Sequence, residues 1–419
     1  MSSSRAFAAL QPGLRVSVIM ACRNVGPFID EALWSARRQT LSDLEIIVVD
    51  DGSTDDTRAK VLEHVDADDR IRLISGPGGG PAAARNLALQ SARGEWVAVL
   101  DGDDLIHPRR FELLLQRAGN DCDIIADNLL AFHDDAPSHE PYLLVDGEGW
   151  NAPRQIDLAY YIRANVMFGK EPCLGYLKPL IRRSTLSDLA VWYDDDLRVG
   201  EDYDFVARLL AGGARFHYVP VPLYFYRRHR QSISHRLHTR DLAALLKAGE
   251  KFHQTLTLAG GEADGDVLAA SALRQTALQD AWIYAQLIDA LKDRRPAALP
   301  ALLCRSWRAD VLLLQTLRAA VGKRLGRFAR TAPKASGVYS LWLRPADGSN
   351  IAVQDGMAPP FDLPAGARRL ADLPDAVVTD MAFRLAVCGP VKTVLAEPEI
   401  LADWVAFLIS PQAVLRPLI

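Results

Sequence analysis

Over the first 130 residues, short apolar runs alternate with turn-forming clusters and with apolar residues at helical spacing. VSVIMA (16–21) predicts a buried strand, and Pro27 then opens a segment with Phe28, Ile29, Leu33 and Trp34 on one helical face. LEIIVVD (44–50) predicts a second buried strand and ends in the turn-rich DDGSTDDT. RIRLI (70–74) predicts a third, followed by a loop, GPGGGP, and a helix, AAARNLALQSA. EWVAVL (95–100) predicts a fourth and terminates at DGDD. This alternation implies an α/β, Rossmann-like sheet of parallel strands with helices on both faces. Ligands of such sheets bind beyond the carboxyl ends of the strands. Asp50, Asp51 and Asp101 to Asp104 all fall at such ends, so a single cleft can collect them.

From about 130 to 236 the pattern is mixed. A polar loop (His133 to Asn151) precedes GYLKPLIRRSTL, then VGEDYDFVARLLAGGARF, then the aromatic, strand-like PLYFYRRH. Residues 240–332 carry helical signals. Beyond Gly337 short strand-like runs such as YSLWLRP and prolines at 359, 360 and 364 change the texture again. Three regions are expected: 1–236, a helical region over 237–335, and an appendage over 336–419 to which no role is assigned. Within the second, Trp307, Val311, Leu314, Leu317, Val321, Leu325 and Phe328 recur at steps of three or four. Arg308, Arg318, Lys323, Arg324, Arg327 and Arg330 occupy most of the rest. A basic amphipathic helix of this kind fits an anionic membrane surface, and equally fits packing on the rest of the chain with a solvated outer face.

At 419 residues the chain is long enough for two or three domains, and 49% hydrophobic against 24% charged residues is the balance of a folded protein. Lys plus Arg number 48 against 52 Asp plus Glu, a net charge of −4, which weighs against gripping nucleic acid across the surface. The five cysteines are scattered with no CxxC pair, which argues against a disulfide framework or a structural zinc site and suits a reducing compartment. The amino terminus does not read as a signal peptide, and no run approaches the ~18–20 apolar residues of a spanning helix. A cytoplasmic location is expected, at most peripheral on the inner membrane.

DGDD after a strand sets carboxylates on a tight turn that Gly102 allows. Mg2+ and Mn2+ take oxygen ligands and keep positions for water and substrate phosphates, so one or two Asp plus a diphosphate complete such a site. An ordinary Asp-Gly turn has the same sequence, and DDGSTDDT also fits a strand-end turn before a helix capped by Ser53 or Thr54. Two acidic turns after two buried strands of one unit say more than either alone. In GEDYDF (200–205) a glycine ends a loop and acids fill a helix's first turn, where the helix dipole favours them whatever their role.

VSVIMACRN, EIIVVDDGSTDDT, PAAARNLAL and GEWVAVLDGDD, in that order, resemble the nucleotide-sugar half of inverting, family 2 glycosyltransferases with the GT-A fold. The resemblance covers residues 14 to 236. GYLKPLIRRS, GEDYDF and SISHR are similar to bacterial exopolysaccharide glucosyltransferases of the succinoglycan-assembly type. It implies that Asp51 contacts the nucleoside base or ribose. It implies that Asp101 and Asp103 form the DxD motif, Asp101 nearer the ribose and Asp103 on Mn2+ or Mg2+. Arg85 is then a diphosphate or uracil contact, although a surface helix arginine fits the same position, and Lys178 also approaches the diphosphate. Asp202 is implied as the general base, since an acceptor hydroxyl must lose its proton as it attacks the anomeric carbon. Glu201 then orients the acceptor or the base, and His229 joins the metal or the diphosphate. DDD at 194–196 receives no role. GPGGGP matches neither GxGxxG nor the Walker pattern and reads as a flexible loop.

The sequence departs from the family where Ala21-Cys22-Arg23-Asn24 replaces Pro-x-Tyr-Asn, which removes an aromatic contact to the base. The activity implied is metal-dependent transfer of one sugar, glucose or a similar hexose, from a UDP-sugar to a hydroxyl of a growing, lipid-linked bacterial glycan. Processive synthases carry Gln-x-x-Arg-Trp, absent here. Two other classes remain open. A sugar-phosphate nucleotidyltransferase would want a Gly-rich basic signature after the first strand, and MACRNVGPF fits it poorly. A non-catalytic glycan-binding protein on a transferase fold has no need of Asp101, Asp103 and Asp202 together.

Overall fold

The structure, a computed structural model, describes residues 5–134, 141–147, 149–229, 238–258, 265–293, 299–303, 305–324 and strands at 340–343, 351–353 and 393–396. The chain begins β1 (Val16–Cys22), α1 (Ile29–Arg37), β2 (Leu44–Asp50), α2 (Thr57–Ala67), β3 (Ile71–Ser75), α3 (Pro81–Ser91), β4 (Trp96–Val99). Next come β5 (Leu105–Ile106), α4 (Arg110–Ala118), β6 (Ile124–His133), β7 (Tyr142–Leu143), β8 (Arg154–Ile156) and α5 (Leu158–Ala164). A 3-10 turn at Leu174–Tyr176 leads to β9 (Leu180–Arg182), α6 (Arg183–Asp188), α7 (Glu201–Ala211) and the long β10 (Phe216–Arg228). Helices α8 (Thr239–Leu258), α9 (Gly265–Lys292), α10 (Leu299–Leu302) and α11 (Trp307–Arg324) follow. Strands β11 (Ser340–Leu343), β12 (Ile351–Val353) and β13 (Thr393–Ala396) form a separate sheet.

The main sheet runs β3-β2-β1-β4-β9-β6-β10-β5, with β7 on β6 and β8 on β10. Strands β3, β2, β1 and β4 are parallel, Ile19 lying opposite Ile47 on one side and Val99 on the other. Every residue of β2 is buried, as expected for strands covered on both faces, which is why these runs read as apolar blocks rather than alternations. The connection from β1 goes one way to β2 and β3, and β4 returns to the other side of β1. That reversal opens a crevice at the carboxyl ends of β1 and β4, where Asn24 and Asp101 emerge.

The second half of the sheet is less regular. β9 pairs antiparallel with both β4 and β6, and β10 pairs parallel with β6 through two register shifts around Pro222. PLYFYRRH is therefore the end of a strand that starts at Phe216. β6 runs into the segment expected as a polar loop, and β7 interrupts that loop. SISHR lies outside the described residues.

Helices α8 and α9 pack through Leu242, Leu245, Leu246, Leu278 and Ala281, and Leu197 ties them to the sheet domain. Ala309 and Leu313 of α11 bury against Ile283 and Leu287 of α9. Residues 325–330 of the expected amphipathic helix lie outside the described residues. Among the described residues, no helix is long and apolar enough to cross a membrane.

Candidate active site

Three turns meet at the crevice. Asn24, just past β1, sits at φ +54° and ties the first turn to the second. Its backbone N–H donates to Ser53 Oγ at 3.0 Å, and its Oδ1 accepts from the Thr54 N–H at 2.8 Å. The Gly26 N–H donates to Asp55 Oδ2 at 3.0 Å, so the acidic residues of DDGSTDDT hold the β1 loop. The third turn, Asp101–Asp104, presses on β1: a Cβ on Gly102 would lie 2.7 Å from Cys22 Sγ.

Asp51 is buried, and its carboxylate accepts from three consecutive backbone amides. Gly78 and Gly79 donate to Oδ1 at 2.8 and 3.2 Å, and Gly80 donates to Oδ2 at 2.7 Å. Gly78 and Gly80 have φ of +76° and +96°, a conformation other residues resist, so the glycines let the loop wrap the carboxylate. GPGGGP, expected as a flexible loop, is thus pinned at its centre by Asp51.

A dense cluster of charged side chains lies at the same crevice. Arg85, on the first half of α3, is 4% exposed, which excludes the surface arginine that also fitted its sequence position. Its guanidinium donates to Glu201 Oε1 at 2.6 Å and to Asp101 Oδ1 at 2.8 Å, with Asp202 Oδ1 3.4 Å away. Lys178 Nζ lies 2.7 Å from Asp101 Oδ2 and 2.8 Å from Asp202 Oδ2. Asp101, Arg85, Lys178, Glu201 and Asp202 come from the turn after β4, α3, the segment before β9, and α7. Asp101 and Asp202, far apart in sequence, therefore share two cations.

The electrostatics follow from this packing. Burial opposes the charge on Asp101, but Lys178 and Arg85 overcome it and hold its carboxyl well below the usual carboxylate range. Burial likewise opposes the Lys178 charge, yet Asp101 and Asp202 keep the ammonium protonated well above its usual range. Glu201 goes the other way: burial and then the Asp202 charge raise its carboxyl, against the pull of Arg85. Asp202 Oδ1 is enclosed with no hydrogen-bond donor, whereas its side chain as a whole keeps 16% exposure. Gly200, at φ +75°, turns the chain into α7 so that Glu201 and Asp202 open the helix facing Arg85 and Lys178.

Asp103 stands apart from that cluster and touches His229, Oδ2 to Nε2, at 2.9 Å. One carboxylate and one imidazole from two elements, at 24% and 9% side-chain exposure, form a donor set that Mn2+ or Mg2+ accepts beside water and substrate oxygens. Among the described residues, no group of three or more His, Cys, Asp or Glu could hold a metal ion. The pair would therefore depend on substrate oxygens and water for its other ligands. Asp101 has both oxygens occupied by cations.

Several residues that frame this site carried no role in the sequence reading. Arg227 donates through its backbone to Asp104 Oδ1 at 2.7 Å and through Nε to the Asp103 carbonyl at 2.8 Å. Its guanidinium also pairs with Asp134 and Glu31 and lies between the rings of Phe28 and Phe132. Tyr224 donates to Asp104 Oδ2 at 2.7 Å and accepts from the Asp101 N–H at 3.2 Å. Burial, then Asp103 and Asp101, push the Asp104 carboxyl well above its usual range. Arg110 and Asp127 form a fully buried pair at 2.7 Å, and Arg110 also donates to the Lys178 carbonyl. The doublet after the aromatic run was a signal for Arg227, but IIADNLLAF gave none for Asp127.

Comparison with known proteins adds ancestry to this geometry. Residues 17–189 match the family described as glycosyl transferase family 2. The chain is 32% identical over 351 residues to succinoglycan biosynthesis protein ExoO of Rhizobium meliloti (strain 1021), covering 81% of this chain and 97% of that one. It is 33% identical over 303 residues to succinoglycan biosynthesis protein ExoU of the same organism, covering 69% of this chain and 85% of that one. The solved structure of S. aureus TarS 1–349 in complex with UDP-GlcNAc aligns at a TM-score of 0.51 with 19% identity, covering 82% of this chain and 98% of that one. At that identity the likeness concerns the fold alone, and it agrees with the GT-A architecture expected from the sequence motifs.

Proposed function

The chain belongs to glycosyl transferase family 2, and on that basis we propose that it moves one sugar, with inversion, from a UDP-sugar to a hydroxyl of a growing bacterial glycan. The donor is a UDP-hexose such as UDP-glucose, and the acceptor is lipid-linked, in exopolysaccharide assembly. Two relatives named for succinoglycan biosynthesis, matched over most of their length, support the glycan class.

The observation that carries the reading is the Asp101–Lys178–Asp202 bridge, which joins the strand-end turn to the α7 terminus through one ammonium. Asp101 takes the donor's ribose side and Asp51 its nucleoside, while Arg85 and Lys178 face the diphosphate. Both cations are shared with carboxylates, so a diphosphate arriving here competes with Asp202 for Lys178. Release of Asp202 from that ammonium leaves its carboxylate to accept the acceptor's proton as the hydroxyl attacks the anomeric carbon. Glu201, anchored on Arg85, fixes the start of α7 and so the position of Asp202. Asp103 and His229 would hold Mn2+ or Mg2+, which when bound supplies Lewis-acid stabilisation of the leaving diphosphate. The exposed side of α11, with Trp307 71% and Leu314 55% exposed, would rest on an anionic inner-membrane surface where such an acceptor resides.

The test is UDP release from a panel of UDP-sugars with Mn2+, and with a lipid-linked glycan extract as acceptor. Wild-type protein should release UDP, whereas Asp202→Asn, which frees Lys178 for the diphosphate, should bind donor at least as tightly yet lose turnover by about 100-fold or more. Full activity in Asp202→Asn would overturn the role given to that carboxylate. Pyrophosphate release from UTP would replace the reading with a nucleotidyltransferase.

A further inference from the structure

We propose that Tyr224 is a positioning residue for the Asp103–His229 pair: its hydroxyl closes the acidic turn Asp101–Asp104 and fastens it to the strand that leads to His229. Positioning here means setting the separation of the pair, and it rests on the proposed role of Asp103 and His229 in holding Mn2+ or Mg2+.

The turn leaves β4 and returns as β5, which pairs antiparallel with β10, Leu105 opposite Phe225 and Ile106 opposite Tyr224. Within the turn, the Asp104 N–H donates to the Asp101 carbonyl at 3.2 Å. The Tyr224 hydroxyl bridges the same two residues from outside, accepting from the Asp101 N–H at 3.2 Å and donating to Asp104 Oδ2 at 2.7 Å. The Arg227 N–H takes the other Asp104 oxygen, Oδ1, at 2.7 Å. Asp104 is 1% exposed and Tyr224 0%, so water cannot replace a bond lost here.

Tyr224, Arg227 and His229 follow one another at the end of β10, so the groups that grip the turn and the imidazole that meets Asp103 share one stretch of backbone. The His229 ring also lies 4.5 Å from that of Phe28, over which the Arg227 guanidinium sits. Without the Tyr224 hydroxyl, the Asp101 N–H loses its acceptor and Asp104 Oδ2 its donor, and the turn must shift to find others. The Asp101 carboxylate keeps Arg85 and Lys178, so the shift falls on Asp103, which meets His229 across the gap between turn and strand. Groups that hold a metal ligand in place without touching the metal commonly set its affinity.

Mn2+ binding to the full-length protein, with UDP present in constant amount, is read from the electron paramagnetic resonance of free Mn2+ and set beside the melting temperature. Tyr224→Phe should bind Mn2+ about tenfold more weakly than wild type at a temperature where both are folded. Tyr218→Phe is the control: Tyr218 is buried on the same strand, but its hydroxyl has no hydrogen-bond partner among the described residues. It should leave Mn2+ binding unchanged. Asp104→Asn, which keeps the size and breaks the same connection from the other end, should also weaken Mn2+ binding. The double variant should then bind about as weakly as the weaker single. A lower melting temperature in Tyr224→Phe with Mn2+ affinity unchanged means that the hydroxyl only stabilises the fold, and overturns the proposal. So do losses that add in the double variant, or an equal loss in Tyr218→Phe. Wild-type protein that binds no Mn2+ overturns the metal reading itself, and the proposal with it.

Discussion

Replacing Lys178 with methionine tests the charge arrangement most directly, because methionine fills similar space without the ammonium. The native cluster sets three carboxylates, Asp101, Glu201 and Asp202, against two cations, Arg85 and Lys178. In Lys178→Met one guanidinium must serve all three. At the 2.7 and 2.8 Å separations observed, each ammonium–carboxylate attraction is ~6 kcal/mol at an effective dielectric of 20. Desolvation of the ammonium offsets several kcal/mol of that, so the net loss should be about 3–5 kcal/mol at pH 7. The pH dependence has a definite sign. Without Lys178 the buried Asp101 carboxyl loses the stronger of the two cations that hold it low, its folded-state pKa rises, and a raised carboxyl is stabilised by low pH and destabilised as pH increases. The penalty should therefore be smaller at pH 5 than at pH 7. Urea unfolding at both pH values measures it, and Asp202→Asn added to Lys178→Met should recover most of the lost stability at pH 7. A variant as stable as wild type at pH 7, or a penalty independent of pH, would refute the bridge.

Other consequences are as specific. Gly102→Ala should cost about 1–3 kcal/mol by chemical denaturation and lower donor affinity, because its Cβ would meet Cys22 Sγ at 2.7 Å and push the acidic turn off β1. Unchanged stability and affinity would mean the turn is not seated there. Glu45 resists burial because hydrogen bonds from Ser17, Arg93 and Arg72 outweigh it and hold its carboxyl below the usual range. The stabilisation is present above ~4.3 and is lost as pH falls. Glu45→Gln should accordingly destabilise by about 2–3 kcal/mol at pH 7, with the gap to wild type narrowing toward pH 4; a constant gap counts against it. On α11, Trp307→Glu should abolish sedimentation with phosphatidylglycerol vesicles while leaving UDP release from soluble acceptor unchanged, and wild-type protein that fails to sediment removes the membrane role.

The half of the sheet built from β1 to β4 was legible because β1, β2 and β4 each carry at least four successive apolar residues ahead of a polar, turn-forming segment. A strand covered on both faces has no alternative use for four or more successive apolar residues. The other half was not, and the residues show why. β6 includes Asp127 and Asn128 in its interior, 0% and 1% exposed. Asp127 is satisfied by Arg110 and the Leu223 N–H, and Asn128 by the backbone of Val145, partners that only the folded chain supplies. A local pattern registers those two as breaks. The aspartates of the crevice were visible as strand-end turns, but their pairing was not. That Asp101 shares Lys178 with Asp202 depends on β9 running antiparallel beside β4, and no local signal in GYLKPLIRRS sets the direction of that strand.

The positions of Arg110 and Arg227 explain how so much like charge is tolerated. Each arginine grips a backbone carbonyl that carries a working side chain: Arg110 the carbonyl of Lys178, Arg227 that of Asp103. Each is itself neutralised at its far side, Arg110 by Asp127 and Arg227 by Asp134 and Glu31. The carbonyls are therefore fixed by charge-assisted bonds whose counter-charges are shared by neither Lys178 nor Asp103. This separation makes two kinds of arginine distinguishable. Loss of Arg227 should loosen the Asp103–His229 pair and weaken Mn2+ binding, read by the electron paramagnetic resonance of free Mn2+, while leaving the Asp101–Lys178–Asp202 bridge intact. Loss of Arg110 should do the reverse. If both substitutions weaken Mn2+ binding equally, the two halves of the crevice are one mechanical unit and the separation argued here is wrong.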